Sequence, residues 1–152
     1  MKNLSVYFLA TAMGLSFLSS CKKDSASTPA PAPSKTDLLT AKNWKMTDAK
    51  INGVSIFNSG LIDACEKDNL IKFNTNKIAV FDEGASKCVS TDPQTRNGSW
   101  DFTTSETKLK VTDPDGDADE SVISTLNSTT LIILNPDFQG SNQSGELTFT
   151  AQ

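Results

Sequence analysis

The sequence predicts an all-β fold, an eight-stranded antiparallel up-and-down barrel. Three observations favour this class: short segments in which apolar and polar residues alternate, turn-forming residues between consecutive segments, and almost no helical spacing of apolar residues. A sheet whose strands follow one another through short connections avoids exposed edges when it closes on itself. A two-sheet β-sandwich fits the strand pattern nearly as well and stays open as the alternative.

Four segments alternate most clearly between an apolar and a polar face, as half-buried strands do. Three further segments, 70–73, 78–81 and 122–126, alternate less regularly. The segment 131–134 is apolar on both faces, which predicts the best-covered strand. The apolar residues of the four clear segments are Trp44 and Met46; Gly98, Trp100 and Phe102; Leu109 and Val111; and Leu147 and Phe149.

The connections between these segments are rich in turn-forming residues. Residues 103–107, 113–119 and 135–145 hold most of them, and such short connections join antiparallel neighbours. Ahead of the first strand, residues 36–39 predict one helical turn, with Ser34 or Thr36 as its N-cap.

Residues 1–20 predict a cleaved signal peptide. An apolar stretch over 4–18 follows Lys2 and is too short to span a bilayer of roughly 30 Å comfortably as a permanent helix. The tetrapeptide 18–21, Leu-Ser-Ser-Cys, resembles the lipobox of bacterial lipoproteins. This resemblance implies that Cys21 is lipidated and anchors the mature chain to a membrane.

Residues 21–34 predict a tether between the lipid and a folded domain at 35–152. Pro29, Pro31 and Pro33 stand among alanine and serine, a composition that cannot bury a core and favours extended polyproline II. At about 3.1 Å per residue, such a tether holds the domain on the order of tens of ångströms from the lipid surface.

Cys65 and Cys88 predict a disulfide, because they are the two cysteines left beside Cys21 and an export compartment is oxidising. The bond closes the hairpin of segments 70–73 and 78–81 at its open end. By the chain-entropy estimate, such a loop stabilises the fold by about 3 kcal/mol. The alternative, a redox or metal-binding thiol pair, lacks both a CxxC spacing and a histidine partner.

The absence of histidine is the most informative feature of the composition. It removes the usual general base, the Ser/His/Asp and Cys/His nucleophile systems, and His-ligated zinc. Paired carboxylates can perform glycosidase chemistry, but no pair stands out here, so we expect neither enzymatic activity nor a cofactor. The formal net charge of −4, more negative still without Lys2, disfavours nucleic acid as a partner.

An acidic turn places carboxylates at alternate positions, and such an oxygen-rich turn can wrap Ca²⁺. The pattern departs from an EF-hand loop, because its sixth position is alanine and its twelfth is serine. The alternative is a solvated turn whose charge keeps neighbouring strands from pairing with other molecules. The candidate calcium ligands are Asp113, Asp115, Asp117 and Asp119.

The order of several short motifs resembles the lipocalin-like domain of small Bacteroidetes lipoproteins. The resemblance covers residues 38–151 and implies an eight-stranded barrel with Trp44 plugging one end. In place of the Gly-x-Trp usual there, this chain has Lys42-Asn43-Trp44. The matching motifs are Leu38-Leu39, Asn43-Trp44-Lys45, residues 65–69 (Cys-Glu-Lys-Asp-Asn) leading to Phe73, Cys88, Gly98-Ser99-Trp100, Leu109, and residues 131–134.

The barrel and the anchor together favour a binding function. Our leading hypothesis is a membrane-anchored lipoprotein whose barrel binds a small, mostly apolar ligand. The alternative is a non-catalytic interaction or scaffold subunit of an envelope complex, in which the same inward residues fill a solid core. The run Lys22-Lys23-Asp24 resembles a surface-export signal, so we expect the outer membrane, on its periplasmic face or at the cell surface. The residues predicted to line the barrel are Met46, Phe73, Val80, Trp100, Phe102, Leu109 and Phe149.

Overall fold

The structure is a computed structural model that describes residues 30–136 and 143–152. The predicted signal peptide, Cys21 and most of the tether lie outside these residues; the last tether residues, 30–34, are exposed and irregular. Residues 32–152 form one compact unit. Its elements are α1 (Lys35–Thr40), β1 (Asn43–Ile51), β2 (Val54–Ser55), β3 (Leu70–Phe73), β4 (Ile78–Asp82), β5 (Thr95–Thr103), β6 (Lys108–Thr112), β7 (Ala118–Leu126), β8 (Thr130–Asn135) and β9 (Gly145–Ala151).

The strands close into an antiparallel barrel. From β3 to β9 each strand pairs with the next along the chain, and β1 pairs with both β3 and β9. These eight strands form a continuous ring, while the two-residue β2 is added to the edge of β1. The predicted barrel is therefore confirmed, and the β-sandwich alternative is excluded.

The short helix α1 begins at a capping box. The Ser34 hydroxyl accepts a hydrogen bond from the Asp37 backbone N–H (3.1 Å), and the Asp37 carboxylate accepts one from the Ser34 backbone N–H (3.0 Å). Ser34 is thus the N-cap, and Thr36 lies inside the helix. Over the ranges that the structure describes, no helix has the length and apolar character needed to cross a membrane.

The helix covers the end of the barrel at which β1 begins, which we call the closed end. Leu39 is fully buried, and its carbonyl accepts a hydrogen bond from the indole N–H of the equally buried Trp44 (2.8 Å). The Lys35 ammonium donates to the carbonyl of Glu106 in the β5–β6 turn (2.5 Å). Trp44 therefore plugs this end with its only polar atom satisfied.

Aromatic rings fill the closed half of the barrel. The ring of Trp100 meets those of Phe73 and Phe102 edge to face, with centroid distances of 5.7 and 5.3 Å. The indole N–H of Trp100 donates to the carbonyl of Asn74 (2.9 Å). The Lys77 ammonium lies 4.1 Å from the centroid of the Trp100 ring. This half of the barrel has a solid core.

Two features of the sheet differ from the sequence-based prediction. In β8 only Leu131 is buried, and residues 132–134 are half-buried. Ile132 and Leu134 lie on the outer face, which a single-layer barrel leaves open to solvent, and Ile133 borders an open cavity. The strand β2 was not predicted. It follows the two-residue turn Asn52-Gly53, in which both residues have positive φ, and this Asn-Gly pair is the sequence signal that marks such a hairpin.

Candidate functional site

The end of the barrel at which β1 ends, which we call the mouth, has an irregular wall. β1 pairs with β3 over Asn43–Lys45, and its last two residues pair instead with β2. Residues 56–69, which we call the wall segment, fill the space that this leaves between β1 and β3 near the mouth. The backbone N–H of Ile56 attaches the wall segment to the carbonyl of Ala49 in β1 (2.8 Å).

A disulfide fixes the far end of the wall segment. Cys65 is bonded to Cys88 in the loop after β4, with their Cα atoms 5.2 Å apart, which confirms the predicted pairing. The bond joins the segment before β3 to the loop after β4, so it closes the β3–β4 hairpin at its open end, as predicted. The hairpin opens toward the mouth, and the disulfide therefore holds the mouth wall together.

Hydrogen bonds to the Asp68 carboxylate also connect the wall segment to the loop after β4. One carboxylate oxygen of Asp68 accepts the backbone N–H groups of Ala85 and Ser86, both at 2.9 Å. The side-chain nitrogen of Asn69 faces two backbone carbonyls. It donates a hydrogen bond to the carbonyl of Glu83 (3.0 Å) and one to the carbonyl of Cys65 (2.9 Å). The wall segment is therefore attached to the β4–β5 loop at several points.

A cavity of about 600 Å³ opens between the wall segment and the barrel. This volume lies within the range of ordinary small-molecule sites, roughly 300–1,000 Å³. Its lining is largely apolar and comes from four strands together with the wall segment. The apolar lining residues are Met46, Ala49, Ile51, Ile56, Leu61, Ile62, Leu70, Ile71, Phe81, Leu147 and Phe149.

A smaller cavity of about 240 Å³ lies beside the first. The two cavities share four lining residues, Ile71, Phe81, Leu147 and Phe149. The remaining lining of the smaller cavity comes mainly from β6, β7 and β8, including Leu109, Val111, Ser121, Ile133 and Asn135. The open half of the barrel is thus hollow, in contrast to the closed half.

Acidic side chains border both cavities. Glu66, Asp82 and Glu83 line the larger cavity, and Asp113, Asp117 and Asp119 line the smaller one. No lysine or arginine of the described ranges lines either cavity. Within residues 30–136 and 143–152, the charged groups that face this space therefore all carry negative charge.

Two of these aspartates also hold loops in place. Asp82 accepts hydrogen bonds from the backbone N–H of Gly84 (2.9 Å) and the side-chain amide of Gln94 (2.7 Å). Asp113 accepts the backbone N–H groups of Asp115 and Asp117, both at 2.9 Å. Each carboxylate therefore fixes the conformation of its own loop at the mouth.

Of the four predicted calcium ligands, three border the smaller cavity and one does not. The carboxylate of Asp115 forms an ion pair with Arg96 (2.5 Å), and this hydrogen bond and charge lower the pKa of Asp115. Asp115 also lies outside the lining of the smaller cavity, to which Asp113, Asp117 and Asp119 belong. Among the residues that the structure describes, no group of three or more acidic or cysteine side chains is placed to hold a metal ion.

Three of the seven residues predicted to line the barrel border a cavity. Met46 lines the larger cavity, Leu109 lines the smaller one, and Phe149 lines both. Phe73, Trp100 and Phe102 point into the barrel but belong to the core of the closed half and line neither cavity. Inward position alone does not separate core from cavity lining, because both groups lie on the same face of their strands.

The placement of Val80 inside the barrel is wrong. Its antiparallel neighbours Lys72 and Asn97 are both exposed, so Val80 lies on the outer face of β4. The inward residues of this strand are the fully buried Ala79 and the cavity-lining Phe81. Because residues 78–81 are apolar throughout, their sequence gave no alternation from which to choose the face.

Sequence reasoning also missed the contribution of the wall segment. Ile56, Leu61, Ile62 and Asn69 line the larger cavity but lie outside every predicted strand. The available signal was a run of apolar residues inside a long connection that ends at Cys65. A long connection that carries apolar residues and a disulfide is typical of a loop packed over a site.

Comparison with known proteins agrees with this architecture. The family model described as lipocalin-like domain matches residues 40–133, most of the barrel. No curated protein matches the chain. The matched range includes strands β1 to β7 and most of the lining of both cavities. The chain belongs to the lipocalin-like domain family.

Proposed function

We propose that this protein binds a small, mostly apolar molecule in the mouth of its barrel. The observation that carries the proposal is the cavity of about 600 Å³, whose lining is largely apolar. Burial of an apolar ligand there is favoured by about 25 cal/mol for each Å² removed from water. Membership of the lipocalin-like family supports a binding function of this kind.

We further propose that the binding domain is held at a membrane by a lipid on Cys21. The support is the leader at 1–20, the lipobox-like tetrapeptide before the cleavage point, and the proline-rich tether. Two or three acyl chains anchor a protein stably where one does not. The Lys22-Lys23-Asp24 run favours the outer membrane, with the domain in the periplasm or at the cell surface.

Binding, and not catalysis, is the function that the chain's chemistry supports. Without a histidine, general acid–base and nucleophilic catalysis depend on other groups. Of the carboxylates that line the cavities, Glu66, Asp82, Glu83 and Asp113 accept hydrogen bonds from nearby N–H groups within the mouth. These groups shape the site and leave the apolar surface as its main means of recognition.

Two leucines on neighbouring strands offer a matched test. Leu147 of β9 lines both cavities, including the larger one that carries the proposal. Leu134 of β8 lies on the outer face of the barrel, opposite the exposed Val122 of β7. In Leu147→Trp the indole occupies cavity space, whereas in Leu134→Trp the same side chain points away from the cavities.

The test measures the binding of N-phenyl-1-naphthylamine, a neutral apolar dye that fluoresces in dry sites, to the purified, detergent-free protein. We expect saturable binding to the wild type and to Leu134→Trp, and affinity lower by about tenfold or more in Leu147→Trp, since about 1.4 kcal/mol of lost contact corresponds to tenfold. Equal binding by both variants, or no saturable binding by the wild type, contradicts the proposal. The second outcome favours a scaffold subunit instead.

A further inference from the structure

We propose, building on the binding function above, that the ligand is an amphiphilic cation, an apolar body that carries a protonated amine. The body lies in the apolar part of the barrel, and the amine lies at the mouth against the aspartates of the smaller cavity. Three observations support this choice of ligand class: a polarity gradient along two strands, a serine hydroxyl that lines the cavity without a partner among the described residues, and the sign of the charges around the cavities.

The gradient runs along the β6–β7 ladder. Inward-facing positions recur at every second pair, and the deepest pair that borders the smaller cavity is Leu109 with Ser121. The next inward pair toward the mouth is Val111 with Asp119. Beyond the strands, the backbone N–H of Asp113 bonds the carbonyl of Asp117 (2.8 Å), and both side chains border the cavity. The lining thus changes from apolar to anionic over three successive levels.

Ser121 is a largely buried polar residue whose hydroxyl has no partner among the described residues. Its exposed fraction is 7%, and it lines the smaller cavity. A hydroxyl that faces a cavity without a protein partner is available to hydrogen-bond a polar group of a ligand there. Its position beside Leu109 places a polar contact part of the way down an otherwise apolar cavity.

The charges around the cavities select the sign of the ligand. Of the described residues, the six charged side chains that line the two cavities are carboxylates: Glu66, Asp82, Glu83, Asp113, Asp117 and Asp119. The basic residue of β5, Arg96, is already paired with Asp115. A fatty carboxylate would place its negative head among like charges, whereas an ammonium head gains attraction from several carboxylates at once.

Two aspartates at the mouth can be changed without disturbing the loop. Asp117 and Asp119 line the smaller cavity, and their carboxylates make no hydrogen bond or ion pair among the described residues. Asp113 is left intact because its carboxylate holds the turn. The control, Asp101→Asn with Glu106→Gln, removes two negative charges at the closed end, where neither residue lines a cavity and where Asp101 forms an ion pair with Lys77 (2.9 Å).

The experiment compares three displacers of bound N-phenyl-1-naphthylamine that share one ten-carbon chain: decylammonium, decanol and decanoate, all below their micellar concentrations. We expect decylammonium to displace the dye at a concentration about tenfold or more below that of decanoate, with decanol between them. This preference should shrink in Asp117→Asn/Asp119→Asn and with added salt, and should persist in Asp101→Asn/Glu106→Gln.

Each outcome has a distinct meaning. If the dye binds and decanoate displaces it as well as decylammonium does, the cavity binds apolar ligands and the charge preference is refuted. If the preference survives the Asp117→Asn/Asp119→Asn exchange unchanged, the mouth aspartates do not recognise the amine, and the inference is likewise overturned. If the dye does not bind at all, the binding function fails and this inference fails with it.

Discussion

Gly84 lies where the β4–β5 loop approaches the wall segment most closely. A Cβ atom at this position would lie 2.4 Å from the carbonyl oxygen of Asp68, and the backbone has φ of +67°. Gly60, within the wall segment, has a similar positive φ of +86° but no atom within 4 Å of such a Cβ. The two glycines therefore separate the cost of backbone strain from that of a steric clash.

We expect Gly84→Ala to lower the free energy of unfolding by about 3 kcal/mol, since strain and clash add. Gly60→Ala should cost about 1 kcal/mol, because only the positive φ is penalised. Urea denaturation of both variants measures the two values. Equal losses in the two variants would show that the close approach to Asp68 has no energetic consequence.

A second prediction concerns the capping box at α1. Hydrogen bonds from Ser34 lower the pKa of the Asp37 carboxyl below its ordinary value of 3.8. Because the folded-state pKa is depressed, the ionised carboxylate stabilises the fold above the unfolded pKa, and this contribution is lost as pH falls through the folded pKa. Asp37→Asn should therefore destabilise the protein at about pH 7 and have little effect at about pH 2.

Thermal unfolding of the wild type and Asp37→Asn at the two pH values measures this difference directly. Asparagine has the same shape as aspartate and carries no charge. Comparing the two proteins in acid and in neutral solution therefore isolates the effect of the charge on Asp37. A loss of stability in Asp37→Asn that is the same at both pH values would mean that the charge on Asp37 plays no part in the cap.

Single residues also show which inward positions could be predicted from local sequence patterns. Alternation identified the inward faces of β1, β5, β6 and β9, because a half-buried strand places apolar residues at every second position. The same rule did not decide between Val80 and Phe81, which are both apolar. Their orientation depends on pairing register with β3 and β5, a tertiary property.

At the scale of elements, the mouth is a β3–β4 hairpin and a wall segment bound together. The disulfide between Cys65 and Cys88, the Asp68 hydrogen bonds and the Asn69 amide all connect these parts. The wall segment has little regular structure of its own. Its shape therefore depends on these attachments, and the larger cavity depends on that shape.

Removing both cysteines by Cys65→Ser/Cys88→Ser should lower the free energy of unfolding by about 3 kcal/mol, because the unfolded chain regains the entropy of an open loop. The affinity for N-phenyl-1-naphthylamine should also fall, since the wall of the larger cavity loses one attachment. Reduction of the wild type with dithiothreitol should reproduce both effects. An unchanged unfolding midpoint would show that the remaining hydrogen bonds hold the hairpin unaided.

All eight barrel strands were predictable at this scale, whereas the wall segment was not. Strands such as β5 and β9 repeat a two-residue pattern that follows from their own geometry. Residues 56–69 have no such period, because their conformation is determined by the disulfide and by contacts with distant loops. The wall segment lines the larger cavity, so the shape of that cavity could not be predicted from the sequence.

At the scale of the whole molecule, the barrel is solid at one end and hollow at the other. Trp44, Trp100 and Phe73 occupy the closed half, and the cavities occupy the mouth. A hollow barrel and a filled barrel require the same inward apolar residues, so composition and alternation cannot distinguish them. The difference arises from where the large aromatic rings lie along the barrel axis.

The measurement that tests the central claim most directly is a titration of the isotope-labelled protein with decylammonium, followed by two-dimensional NMR. We predict that backbone amide signals of Val111, Ser121 and Leu147 at the cavities shift and saturate. The indole N–H signals of the two tryptophans, Trp44 and Trp100, should keep their positions, because both lie in the solid closed half. Absence of saturable shifts at the cavity residues, or shifts confined to the outer face of the barrel, would contradict the binding of an amphiphilic cation in the mouth.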